Sequence, residues 1–328
     1  MYADKVDDTP EGRQWVTAST NILLTPHMVS LPYRQIGVFP AGSPRALALQ
    51  FTARRGEHIN FDIAKKNNSA FTLYADVYKL QGKDPSHLLA ADTTSAEFGF
   101  DAEEAGTYIL RLQPELFSGG EYDLSVSVTP SLSFPVAGNK ARAGSFWGVD
   151  RDGGKRRHEG VDIFAPKKTP VVAAADGFIT RVDNGGLGGK TVWMRVAGKD
   201  ISLYYAHLDQ QLVESGQTVL KGDTLGLVGN TGNAKHTPSH LHFGIYTYGG
   251  AVDPWPFINN DVKGVPTVTS KDLQGYLQAK KITKGKKSDN LSTETKMIPL
   301  AVTHNSYVAE LPDGKIIEAP FESVKMIK

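Results

Sequence analysis

His158-Glu159-Gly160-Val161-Asp162, Tyr204-Tyr205-Ala206-His207-Leu208 and His240-Leu241-His242-Phe243 follow one another within a single stretch of a 328-residue chain. Five of the nine histidines lie between His158 and His242, with an aspartate at fixed spacing. Imidazole and carboxylate in this density are the donors of a transition-metal centre. The chain has no cysteine, so disulfides and thiolate zinc sites are excluded and any such centre depends on these two donor types.

Spacing decides which backbone could aim them. A helical H-E-x-x-H motif needs two histidines one turn apart, but here the last position is Asp162, Gly160 and Val161 are poor helix formers, and Pro166 follows closely. Extended backbone works better. Residues two and four apart then share a face, so His158, Gly160 and Asp162 point one way and Glu159 and Val161 the other. Gly160 would leave open space between two ligands. The same rule puts His240 and His242 on one face, with Leu241 and Phe243 packed behind them. His207 falls on the face of Leu203 and Tyr205, at the end of its strand. Two imidazoles and one carboxylate would leave the fourth position of a zinc ion open, which is the catalytic rather than the structural arrangement. His236 lies four residues before His240, but Pro238 between them breaks a shared helical face, so His236 reads as a residue of the groove rim.

The elements that must position these residues read as β throughout. Short alternating runs recur from Val171 to Ile245, and no twelve-residue stretch there keeps helical periodicity without a glycine or proline. Two glycine-rich loops, Asp183 to Gly189 with Asn184 inside it and Gly229 to Ser239, would flank an open groove. The basic run Lys155-Arg156-Arg157 leads into the first histidine and reads as a rim. Outside this domain, residues 1–33 read as an extended leader. Residues 34–130 carry alternating runs separated by turn signals, the pattern of an antiparallel β-sandwich. Residues 131–262 are the central domain. Residues 263–291 read as a polar linker with a solvated run at Lys284-Gly285-Lys286-Lys287 and a short helix around Leu273 to Lys280, and residues 292–328 as a small β module.

Composition narrows the classes. With 40% hydrophobic and 22% charged residues and a formal net charge of +1, the chain is a globular protein without the basic field that nucleic-acid binding requires. No apolar run reaches membrane-spanning length, and the first residues lack the apolar segment of a secretory signal.

The region from about Arg157 to Phe243 resembles the lysostaphin-type, LytM-like zinc metallopeptidases, which cut peptide bonds of bacterial peptidoglycan. The resemblance is carried by H-x-G-x-D at His158 to Asp162, Ala165-Pro166, Thr169-Pro170-Val171, Asp176-Gly177, Tyr205-Ala206-His207-Leu208, Gly226 to Gly232, and His240-Leu241-His242-Phe243. It implies an antiparallel β-sheet metallopeptidase domain and one zinc ion per chain held by His158, Asp162 and His242. It implies His207 and His240 as the catalytic pair, with the division of roles between them left open. Peptidoglycan as partner and an exported, periplasmic or cell-envelope location follow from the same likeness. Two departures stand out. Lys168 replaces the glycine often found before Thr169. The upstream tyrosine of some members is missing, which leaves Arg156 or Arg157 as candidates for an oxyanion contact.

Two shorter likenesses flank this region. Ala105 to Leu112 with Gly120 to Leu124 is similar to the closing hairpin of accessory sandwiches in secreted bacterial peptidases, and Thr293 to Lys328 resembles the second half of a bacterial SH3-like barrel. Two other readings compete with a peptidoglycan endopeptidase: a non-hydrolytic scaffold that binds the wall or activates a hydrolase, and a general secreted metallopeptidase. Degenerate relatives of the scaffold kind typically lose ligands, whereas here all five implied positions are occupied.

Overall fold

The computed structural model describes residues 8–42, 44–66, 71–280 and 293–328, so the Lys284 to Lys287 run lies outside the described residues. The chain is mainly β and divides into two compact units. One gathers residues 1–54, 58–128 and 263–328; the other gathers residues 55–57 and 129–262.

The first unit opens with a helix where the sequence suggested extended chain: α1 (Pro10–Asn21). Its start has a local cause. Thr9 caps the helix by accepting a hydrogen bond from the Gly12 amide at 3.0 Å, and Pro10 occupies the first turn, where its missing N–H costs nothing. Nine strands follow: β1 (His27–Met28), β2 (Tyr33–Phe39), β3 (Leu47–Ala53), β4 (Glu57–Lys65), β5 (Leu73–Gln81), β6 (Asp84–Ala90), β7 (Glu97–Asp101), β8 (Gly106–Pro114) and β9 (Gly120–Pro130). One sheet has the order β1-β3-β8-β5-β6. It shares a core with β2, β9, β4 and β7 of another sheet, through Leu49, Phe51, Val77, Leu110 and Leu112 against Ile59, Phe61, Tyr122 and Leu124.

The second unit contributes β10 (Arg142–Ser145), β11 (Asp150–Arg151), β12 (Arg156–Arg157), β13 (Val161–Phe164), β14 (Pro170–Val172), β15 (Gly177–Gly185), β16 (Gly189–Val196), β17 (Ser202–Leu208), β18 (Gln210–Gln211), β19 (Thr218–Val219), β20 (Thr224–Leu227), β21 (His240–Thr247) and β22 (Gly250–Val252), then the single-turn helix α2 (Trp255–Ile258). Its main sheet runs β10-β13-β21-β17-β16-β15-β19, with β22 on β21, and a smaller sheet runs β14-β20-β18. Alternation fills one core: Val161, Ile163, Leu203, Tyr205, Leu241, Phe243 and Ile245 of the main sheet meet Val171 and Leu225 of the smaller one. All nine are fully buried. Burial of such side chains contributes roughly 1.5–3 kcal/mol each, so slipping β21 by one residue would expose three of them and cost several kcal/mol. The opposite face of β21 is thereby fixed as the face of His240 and His242.

The last strands, β23 (Tyr276–Ala279), β24 (Lys296–Val302), β25 (Ser306–Glu310), β26 (Ile316–Pro320) and β27 (Val324–Ile327), differ from the expected linker and free module in two ways. Tyr276 to Ala279 is a strand between β24 and β27 rather than part of a helix, because Leu277 is fully buried with Met297, Ala309 and Val324, and Gly275 before it takes a φ of 98° that helix excludes. In addition, β24 pairs with β2 through Ile36–Val302 and Gly37–Ala301, so these strands extend the first unit's sheet. Ile36 is buried against Val268 and Val302, both from the C-terminal segment. Ile36→Ala is therefore expected to cost about 2–5 kcal/mol in urea unfolding of the full chain; a cost within about 0.5 kcal/mol, the level of a surface change, would show that the C-terminal strands do not cover it.

Candidate metal centre

Three neighbouring strands carry the chemistry. Across β13, β21 and β17, Asp162 stands opposite His242 and His242 opposite Ala206, while Phe164 stands opposite His240. Val161 and Ile163 anchor β13 from below, as Leu241 and Phe243 anchor β21, so Asp162, His240 and His242 share the other face as alternation predicts. His158 and Gly160 precede β13 rather than lying in it. There the alternation lapses, and Glu159 lines the same cavity as His158 and Asp162 instead of facing away. Gly160 is required by close approach: a Cβ there would sit 2.6 Å from His242 Cε1 and 2.6 Å from the Phe243 carbonyl oxygen.

His207 reaches the site by a device that the sequence pattern hides. Strict alternation groups it with Leu203 and Tyr205, which are in the core. The register between β16 and β17 shifts between Lys190–Leu208 and Val192–Tyr205, so β17 holds one extra residue there. His207 takes a φ of 64°, a region that side chains rarely adopt, and its ring lies on the cavity side with those of His240 and His242, at centroid separations of 5.0 and 5.9 Å. Its Nδ1 meets the Thr231 carbonyl at 2.9 Å, and His240 Nδ1 meets the Pro238 carbonyl at 2.8 Å. With each Nδ1 donating to a carbonyl, the neutral form of either ring has Nε2 as its acceptor.

The three donor atoms crowd one another. His158 Nε2 is 3.0 Å from Asp162 Oδ1 and 3.0 Å from His242 Nδ1, and His242 Nδ1 is 2.9 Å from Asp162 Oδ1. His158 Nδ1 donates to the Phe146 carbonyl at 2.8 Å, which leaves Nε2 of the neutral ring with a lone pair toward the carboxylate. Even with one proton on His242 Nδ1, acceptor faces acceptor between His158 and Asp162. A cation removes that conflict, and tetrahedral ligands at roughly 2.0–2.1 Å from zinc stand roughly 3.3 Å apart, close to the spacing seen. The donor set fits a divalent metal. A fourth contact, from Arg151 to Asp162 Oδ2 at 2.6 Å, completes the surroundings of the carboxylate.

Titration behaviour follows from this crowding. Burial pushes His207 down to about 4, with the charges of His240 and His242 acting in the same direction. Burial also lowers His242, against the opposing pull of Asp162. At Asp162 burial works upward, but the adjacent His158 and His242 rings outweigh it and hold the carboxyl well below the usual range.

The centre opens into a cavity of about 590 Å³ whose wall includes Arg156 and Arg157. Asn184 and His236, the other two groove candidates, are exposed and lie outside its lining. Arg151, Tyr204 and Tyr246 line it and were not singled out by the sequence. Tyr204 could have been found by alternation, since it faces away from the buried Tyr205; its ring lies edge-on to His242 at 5.9 Å. The two glycine-rich loops also pack on each other, with the Asn233 amide donating to the Leu187 carbonyl at 3.0 Å. Lys168 takes a φ of 70°, which explains why a glycine suits that position.

Residues 156–254 match the sequence pattern of peptidase family M23. This segment is a peptidase family M23 domain. An uncharacterized metalloprotease of Haemophilus influenzae is 42% identical over 100 residues, covering 30% of this chain and 20% of that protein. An L-Ala–D-Glu endopeptidase of Bacillus subtilis is 36% identical over 129 residues, covering 35% and 38%. The catalytic domain of lysostaphin from Staphylococcus simulans, at 32% identity, overlaps 35% of this chain and 90% of that one with a TM-score of 0.32. The chain spans between about a fifth and two fifths of the length of these two curated relatives, so the likeness concerns the M23 domain.

Two outcomes follow for the M23 domain. Gly160→Ala should displace His242 and weaken zinc binding by at least about tenfold in competition with a chelating dye, whereas unchanged affinity would mean that the approach of Gly160 to His242 is not tight. In metal-free protein, His207 binds its proton near 6.5 when unfolded and near 4 when folded. Between those values the unfolded chain holds more protons, so stability is full above about 6.5 and falls as pH drops toward 4. Urea melts across that window should show His207→Gln flattening the fall, with His242 supplying a remainder of the same sign.

Proposed function

We propose that the M23 domain is a zinc-dependent endopeptidase that hydrolyses peptide bonds of bacterial peptidoglycan, in its stem or cross-bridge peptides. The observation that carries this reading is the convergence of His158 Nε2, Asp162 Oδ1 and His242 Nδ1 within 3.0 Å of one another, with the His207 and His240 rings beside them in one open cavity. The family match and the Bacillus subtilis relative named as an L-Ala–D-Glu endopeptidase support the substrate class.

On this reading His158, Asp162 and His242 hold one zinc ion. When bound, the ion supplies a Lewis acid that polarises the scissile carbonyl and brings a water's pKa toward neutrality. The remaining work belongs to the chain. His207 and His240 are catalytic residues: a neutral imidazole accepts a proton at Nε2, and a protonated one donates to the oxygen on which negative charge develops. Backbone carbonyls at Thr231 and Pro238 fix both tautomers and ring planes, so little reorganisation is needed. Arg156 and Arg157 on the cavity wall attract the carboxylates of wall peptides. The two-sheet unit and the C-terminal strands serve to place the chain on the wall, and the exported location follows from the substrate. Among the described residues no helix is long and apolar enough to cross a membrane.

Digestion of intact sacculi and of casein, with and without chelator, tests the reading. Chelator-sensitive release of muropeptides without casein cleavage is expected. Release from casein alone would point to a general peptidase, and no cleavage under any metal would point to a scaffold. His242→Ala should lose zinc and activity together. His207→Ala should keep zinc and lose at least about a hundredfold in turnover; a zinc-free His207→Ala protein would overturn the division between ligands and catalytic pair.

A further inference from the structure

Asp162 turns only Oδ1 toward His158 and His242. Its other oxygen is taken. Arg151 donates from one terminal guanidinium nitrogen to Asp162 Oδ2 at 2.6 Å, and from the same nitrogen to Ser145 Oγ at 2.8 Å. Ser145 stands opposite Asp162 in the β10–β13 pair, and its hydroxyl lies 3.5 Å from His158 Nδ1. Arg151 therefore joins two of the three donor residues through their outer atoms. It does not come from β13, the strand that carries Asp162. β11 pairs with β12 through Asp150–Arg157 and Arg151–Arg156, and this small hairpin returns the guanidinium to β13.

An exposed arginine–carboxylate pair would be worth little. This pair is different in setting: the Asp162 side chain is 9% exposed and the Arg151 side chain 33%, and the carboxylate is already committed on its inner oxygen. A carboxylate with both oxygens free can take a cation through one oxygen or two. With a guanidinium on Oδ2, only Oδ1 remains.

We propose that Arg151 is a positioning residue of the metal centre: it pins Asp162 Oδ2, restricts Asp162 to a single donor oxygen, and so keeps one position of a bound divalent cation open. This rests on reading His158, Asp162 and His242 as metal ligands. Removing the guanidinium frees Oδ2 to join Oδ1, which raises the coordination number and blurs the aim of the ligand. Loss of a residue that orients a ligand typically weakens metal binding by roughly 10–100-fold.

The test uses the full chain, stripped of metal and titrated with Co2+, alongside R151A, R151Q and R151K. The native chain should give the strong visible bands of a low-coordinate cobalt centre. R151A and R151Q should give weaker bands, and zinc affinity lower by about 10–100-fold in chelator competition. R151K, which retains a cation but one with a different reach, should recover part of both; if R151A fails to fold, R151Q and R151K carry the comparison. Melting temperatures of the metal-free variants separate a loss of fold from a loss of ligand geometry. Native spectra and affinity in R151A and R151Q would overturn the role of Arg151, whereas a native chain that takes up neither cobalt nor zinc would overturn the metal centre itself.

Discussion

Two imidazole nitrogens and a carboxylate oxygen brought within 3.0 Å of one another leave at least one acceptor facing another unless positive charge lies among them. The rest of the second unit makes sense as the apparatus that imposes this proximity. Asp162 is 6% exposed and His158 4%, so water screens the contact poorly. The cost is met by the hydrophobic core immediately beneath, where Val161, Ile163, Leu241 and Phe243 are fully buried in the residues between the donors. Core and centre are two faces of the same strands.

That arrangement separates the residues that are held from those that are free. Each ring nitrogen not aimed at the centre on His158, His207 and His240 is hydrogen-bonded to a carbonyl oxygen, of Phe146, Thr231 and Pro238 respectively. These carbonyls belong to loops rather than to the strands, so loop and strand together set each tautomer. Arg151 extends the same logic to the carboxylate. Preorganisation of this kind is what lets a polar site act without rearranging as charge develops.

Much of this was legible in the sequence because period-two alternation is a strong constraint wherever one face is buried. It puts Asp162, His240 and His242 on one face, as the structure has them, but it reads open space at Gly160 where the His242 ring packs closely. It misplaced His207, whose face depends on one extra residue in β17 and a left-handed backbone, and neither leaves a mark in residue type. Arg151 was invisible for a different reason: its reach depends on how an irregular hairpin folds back. Among the elements, α1 does not emerge from the local pattern although Thr9-Pro10-Glu11 is a capping signal, because the flanking prolines point to extended chain. The strand at Tyr276 to Ala279 and the pairing of β24 with β2 arise from contacts between distant parts of the chain, which local patterns do not encode.

Zinc-edge anomalous diffraction from crystals of the zinc-loaded chain tests the central claim most directly. The account predicts one peak per chain, at roughly 2.0–2.1 Å from His158 Nε2, Asp162 Oδ1 and His242 Nδ1 together, with the His207 and His240 rings beside it but not bound. A peak held by His207 or His240, or no peak among these residues, would contradict it.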